Sequence, residues 1–106
     1  MKNFKIGIIG FGNIGKKRLE AIKKIKKIKI EIVYISDINT YIKIPKGIKF
    51  ISNWKKVKNI SVDLIIISTP TYLTEIIAKE FAANFNLLIE KPITTNLKLL
   101  KKITNE

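Results

Sequence analysis

Apolar and polar positions follow two rhythms along this chain, and the rhythm switches repeatedly. Lys5-Ile6-Gly7-Ile8-Ile9 is a short apolar run ended by glycine, the pattern of a strand buried on both faces. From Ile14 the spacing becomes helical, with Ile14, Ala21, Ile22 and Ile25 on one predicted face and lysines around the rest. Ile30 to Ile35 returns to β-branched residues and stops at Ser36-Asp37. A weaker strand is predicted over Ile48 to Ile51, then a short helix from Trp54 with Ser52 or Asn53 as its cap. Val62 to Ser68 is the most apolar strand candidate. Tyr72 to Asn84 reads as a helix whose apolar face carries Leu73, Ile76, Ile77, Ala78 and Phe81. Leu87 to Glu90 is a fifth strand, cut off by Lys91-Pro92, and Asn96 to Ile103 a closing helix capped by Thr94 or Thr95.

Strand and helix alternate, except between the second and third strands, where no helix is evident. Such alternation predicts an α/β domain, a doubly wound parallel sheet in the order 3-2-1-4-5 with helices on both faces. One domain over residues 1–106 is expected.

Composition narrows the chemistry. At 46% hydrophobic residues the chain can build a core, so disorder is excluded as the main state. With no cysteine and no histidine, disulfides, thiolate zinc sites and imidazole acid–base chemistry are excluded, and no metal site is expected. The net charge of +13 raises nucleic acid or another polyanion as partner. All but one of the basic residues are lysine, however, and the fork suited to phosphates and base edges is found only at Arg18. Lysines 16, 17, 23, 24, 26, 27 and 29 are interleaved with isoleucines rather than aromatics, which reads as a solvated face. No apolar run approaches the roughly 20 residues of a bilayer span. The N-terminus lacks a signal-peptide core. A cytoplasmic protein without a membrane partner is expected.

In an open parallel sheet, ligands bind beyond the carboxyl ends of the strands. The first strand ends in Gly10-Phe11-Gly12-Asn13-Ile14-Gly15, a G-x-G-x-x-G between a strand and a helix. Gly10 permits the turn, Gly12 lets the backbone approach a pyrophosphate, and Gly15 allows close packing. The helix that follows offers unpaired N–H groups to phosphate. Asp37 ends the second strand 22 residues after Gly15, where a carboxylate accepts ribose hydroxyls and repels a 2′-phosphate. That favours NAD over NADP; the plainer role for Asp37 is to open a turn before Asn39. Ser68, Thr69 and Pro70 would sit beside the glycine loop, or merely stop a strand and start a helix. Glu90 and Lys91 put opposite charges at the same sheet edge, as ligand contacts or as a solvated ion pair. Trp54 reads as a packing residue with the adenine edge as its alternative, and Arg18 as a solvated or phosphate-reaching side chain.

Taken in order, these motifs resemble the N-terminal domain of the Gfo/Idh/MocA family, named after glucose–fructose oxidoreductase, inositol dehydrogenase and MocA. The features that carry it are Lys5 to Gly15, Asp37, Val62-Asp63-Leu64-Ile65-Ile66-Ile67-Ser68-Thr69-Pro70 and Glu90-Lys91-Pro92-Ile93. The resemblance implies an NAD(P)-dependent oxidoreductase acting on a sugar, polyol or nucleotide-sugar hydroxyl. It implies that Lys91, the catalytic candidate, lies near the nicotinamide and the reacting carbon, with a cis bond to Pro92. It places Glu90 near the nicotinamide, and Thr69 and Pro70 along the cofactor's path. Two departures stand out. Thr71 and Thr74 occupy places where the family often has asparagine and histidine, and the family's second, substrate-binding domain is not in this sequence. A truncated or split enzyme is therefore expected, incomplete alone, that self-associates or takes the missing domain from a partner chain. The alternatives are a non-catalytic dinucleotide-binding regulatory module and a lysine-rich polyanion binder.

Overall fold

Runs of isoleucine supply the sheet, and each is stopped by a glycine or a polar residue. The computed structural model describes residues 3–89. Its elements are β1 (Phe4–Ile9), α1 (Asn13–Lys23), β2 (Ile30–Ser36), β3 (Lys49–Ile51), a 3-10 turn (Trp54–Val57), β4 (Leu64–Ile67), α2 (Thr71–Phe81) and β5 (Leu87–Ile89). All neighbouring strands pair in parallel in the order β3-β2-β1-β4-β5, as the alternation predicts. Ile8 lies between Ile35 and Ile66, and Ile9 between Ser36 and Ile67. This register brings the ends of β1, β2 and β4 level.

Both faces of the sheet are covered. On one, Leu19 of α1 packs with Ile6, Ile8, Phe11, Ile35 and Ile66, and the β2–β3 connection adds Ile42, Ile44 and Ile48. On the other, Ile77, Ala78 and Phe81 of α2 and Trp54 and Val57 of the 3-10 turn cover Ile9, Tyr34, Ile65 and Ile67. Tyr34 is wholly buried opposite Gly7, where an added Cβ would lie 2.2 Å from the ring. Its hydroxyl has no partner, and burial raises its pKa above the ordinary phenol range. At the amino edge, Asp63 clasps the start of β1: Lys5 N donates to its Oδ2 and its own N–H donates to the Lys5 carbonyl, each at 2.7 Å.

Several local expectations change. The inner stripe of α1 is Gly15 and Leu19, with Ile22 half-buried, at the i, i+4, i+7 spacing of a single face. Ile14, Ala21 and Ile25 are exposed instead: Ile14 stands in the first turn, and α1 ends before Ile25. Ile76 faces outward from α2 while Thr74 is buried, because Thr74, Ile77, Ala78 and Phe81 form its inner stripe. The predicted fourth strand shortens to Leu64–Ile67, and the helix after Trp54 is one 3-10 turn capped by Asn53, whose side chain accepts from Lys55 N. Glu90, Lys91, Pro92 and the helix expected over 96–103 lie outside the described residues.

Candidate functional site

At the carboxyl edge the chain turns from β1 into α1 through a tightly held loop. Gly10 N donates to the Ser36 carbonyl at 2.7 Å, and Ser68 N donates to the Ile9 carbonyl at 2.8 Å. Gly10 takes φ +93°, a left-handed conformation that disfavours side chains, and a Cβ there would lie 2.6 Å from the Ser68 carbonyl oxygen. Gly15 meets the same loop from the helix side, where a Cβ would stand 2.3 Å from the Gly10 carbonyl oxygen. Gly12 differs from both. Its backbone is extended at φ −77°, and a Cβ would meet nothing within 4 Å. Neither strain nor packing in the chain itself requires glycine there; the space in front of it is open.

That space lies at the amino end of α1. No side chain caps this helix and no acidic residue occupies its first turn. The first N–H groups of a helix have no intrahelical acceptor, so this end is suited to an anion.

Across the cleft stands Asp37. Its Oδ2 accepts from Phe11 N at 2.7 Å and its Oδ1 from Asn39 N at 2.8 Å. The carboxylate thus opens the turn before Asn39 and also ties the end of β2 to the glycine loop. Each oxygen keeps a lone pair for a further donor. The cleft has a volume of about 590 Å³, and among the described residues lining it Asp37 alone carries a charge. Its other walls include Ile38, Ile42, Trp54 and Leu73.

The remaining wall comes from the β4–α2 turn. Pro70 begins α2, accepting at its carbonyl from Leu73 N and Thr74 N, both 2.9 Å. Thr74 Oγ1 donates to the Thr69 carbonyl at 2.8 Å, which leaves the Thr69 hydroxyl as donor in the 2.7 Å bond between the two hydroxyls. Thr69 therefore lines the cleft while its hydroxyl turns toward α2. The hydroxyls of Ser36 and Ser68 are buried without a partner.

Of the residues picked from the sequence, Gly10, Gly12, Asn13, Ile14, Asp37, Ser68, Thr69 and Pro70 line one cleft. Phe11 turns its ring into the core and offers its N–H to Asp37, and Gly15 packs behind the loop. Glu90 and Lys91 lie outside the described residues. Sequence reasoning missed Ser36, Ile38, Asn39 and Ile42, although their position around a strand-ending aspartate was the available signal. Trp54 packs in the core as expected, 6.0 Å from the Phe81 ring, and also stands on the cleft wall.

Residues 4–106 match the model of an oxidoreductase family with an NAD-binding Rossmann fold, Gfo/Idh/MocA. The chain belongs to that family. A search of curated proteins finds no match. Among solved structures, the Gfo/Idh/MocA chain superposes on the WlbA dehydrogenase from Bordetella pertussis, crystallised with NADH and UDP-GlcNAcA. The TM-score is 0.81 at 24% identity, covering 98% of this chain and 33% of that one. It is also similar to myo-inositol 2-dehydrogenase from Lactobacillus plantarum, with a TM-score of 0.81, 19% identity and 98% and 32% of the two chains covered. D-galactose-1-dehydrogenase from Rhizobium etli gives a TM-score of 0.82, 17% identity and coverages of 99% and 34%. At these identities the likeness carries the fold. The chain spans about a third of the length of these proteins. NAD is the cofactor of the family, and the uncapped helix end, the open space at Gly12 and the carboxylate opposite fit it.

Proposed function

We propose that this chain is the cofactor-binding part of an oxidoreductase that acts on a hydroxyl of a sugar, polyol or nucleotide sugar. The adenosine diphosphate half of NAD lies in the cleft described above. Its pyrophosphate passes in front of Gly12, against the N–H groups of Asn13, Ile14 and Gly15. Asp37 accepts the adenosine ribose hydroxyls with the lone pairs left by Phe11 and Asn39, and its charge repels the 2′-phosphate of NADP. Ile38, Ile42 and Leu73 supply apolar walls for the base. Ser68, Thr69 and Pro70 wall the cofactor's path beyond the end of β4. We assign Lys91 to the substrate hydroxyl and Glu90 to the nicotinamide end by their place in the family motif. NAD, when bound, supplies the hydride acceptor. Residues 1–106 act as one cofactor-binding unit, completed by a substrate-binding unit in the same or a partner chain.

The observation that carries this reading is the 2.7 Å bond from Phe11 N to Asp37, which fixes a carboxylate across the cleft from an uncapped helix end. Calorimetric titration with NAD and then NADP tests it. NAD is expected to bind more tightly, and Asp37→Ala to weaken NAD and narrow the preference. Lys91→Ala is expected to leave affinity nearly intact. A folded chain that binds neither dinucleotide overturns the reading.

A further inference from the structure

The edge of the sheet opposite the cleft carries a different surface. After α1 the chain crosses this amino edge through Lys23-Lys24-Ile25-Lys26-Lys27-Ile28-Lys29, and all seven residues are exposed. Ile25 is 47% and Ile28 52% exposed, with lysines on both sides. The segment is held in place: Lys24 N and Ile25 N close turns onto Ala21 and Ile22, and the Lys29 carbonyl accepts from Phe4 N at 2.8 Å. That last bond brings Phe4, 38% exposed, and the exposed Lys5 beside it. Among the described residues, three acidic side chains lie nearby. Glu20 pairs with Lys23 at 3.6 Å, whereas Glu31 accepts from Asn3 at 3.3 Å and Asp63 from Lys5 N. Those two donors are neutral, so Glu31 and Asp63 keep their charge, within a clear surplus of lysines.

We propose that this edge docks on an anionic lipid surface, with Ile25, Ile28 and Phe4 entering the interface and the flanking lysines meeting the headgroups. Such contact needs no membrane span, so the lack of one among the helices of the described residues does not bear on it. A lysine-rich face beside apolar side chains is the chemistry of peripheral lipid binding. Nucleic acid fits less well. The segment has no arginine, Phe4 is a lone half-exposed ring beside it rather than a row of stacking aromatics, and phosphodiester contacts leave the isoleucines in water. The docked edge leaves the dinucleotide cleft, at the opposite edge, open to solvent.

Vesicle flotation of the full chain tests the proposal, using phosphatidylcholine alone and phosphatidylcholine mixed with phosphatidylglycerol, at low and high salt. Binding is expected only with the anionic lipid and weakens with salt. Each lysine near such a surface contributes about fivefold, so Lys24→Glu/Lys26→Glu/Lys27→Glu loses at least about 100-fold. Ile25→Ser/Ile28→Ser is expected to lose about tenfold with the salt dependence kept. The charge-matched control Lys43→Glu/Lys55→Glu/Lys56→Glu, also at exposed sites, retains most of the binding. Circular dichroism verifies that each variant is folded. The proposal is overturned by no vesicle binding, by an unaffected isoleucine variant, by equal loss in the control, or by tighter binding to RNA through the same lysines.

Discussion

Adding one methyl group at Gly12 separates the cofactor site from the fold more cleanly than any other change. In Gly12→Ala the new Cβ meets no atom of the chain within 4 Å, and φ −77° is open to alanine. Loss of unfolded-state entropy gains about 0.4–1 kcal/mol, and alanine is a poorer helix cap than glycine by a comparable amount. The two effects oppose, so stability is expected to stay within about 0.5 kcal/mol, or about 2–4 °C in Tm. Affinity for NAD behaves differently. The methyl occupies the space through which the pyrophosphate reaches the α1 N–H groups. Losing one charge-assisted hydrogen bond costs about 1.5–3 kcal/mol, which is about 10- to 150-fold in Kd. The contrast is Gly15→Ala, whose Cβ would lie 2.3 Å from the Gly10 carbonyl oxygen. There the helix must shift, at about 1–3 kcal/mol of stability. Differential scanning calorimetry and isothermal titration on the same samples read both quantities. A Gly12→Ala chain that binds NAD within twofold of the parent refutes the phosphate path. One that melts far below the parent refutes the open space.

Three further substitutions probe other parts of the argument. Asp37→Asn keeps an acceptor for Phe11 N but removes the charge, so the preference for NAD over NADP is expected to narrow several-fold with little change in Tm; an unchanged ratio rules out charge as its cause. Thr74→Val loses the donor to the Thr69 carbonyl and is expected to lower Tm by about 4–8 °C, with Thr74→Ser restoring it. Tyr34→Phe removes a buried hydroxyl without a partner and is expected to raise stability by about 1 kcal/mol. The raised phenol pKa adds a pH signature. Above about pH 10 the unfolded chain releases this proton while the folded chain holds it, so stability falls as pH rises through that range. Denaturant melts of Tyr34→Phe should lose that share of the slope, and an unchanged slope counts against it.

Most of the architecture was written in local pattern. Runs such as Leu64–Ile67, short, rich in β-branched residues and bounded by polar ones, favour a strand buried on both faces, and their alternation with helices leaves few ways to order the sheet. The glycine loop and Asp37 were legible because backbone turns and strand ends have strong residue preferences. Helix faces were harder. Ile14 and Leu19 suit an apolar stripe equally by type, and only the angle at which α1 leaves the loop decides that Leu19 faces the sheet and Ile14 the cleft. The cleft walls at Ile38 and Ile42 were signalled only by their place after a strand-ending aspartate. They come from an irregular connection whose path is set by contacts with the sheet and not by any period. Nor could spacing reveal that the Thr69 hydroxyl turns to Thr74, since that depends on one rotamer choice.

The clasp between Lys5 and Asp63 can also close only late in synthesis. It closes β1 against β4 only after a separation of 58 residues, whereas β2 reaches β1 much sooner. At translation rates of about 5–20 residues per second, β1 waits about 2–6 s between completion of β2 and completion of β4. Throughout that interval Ile6 to Ile9 present a bare apolar edge to the cell. Slowing synthesis between Ser36 and Leu64 with rare codons is therefore expected to raise the insoluble fraction, and slowing it after Phe81, when α2 can cover the sheet, is not. A newborn chain of this fold is most exposed in the middle of its own making.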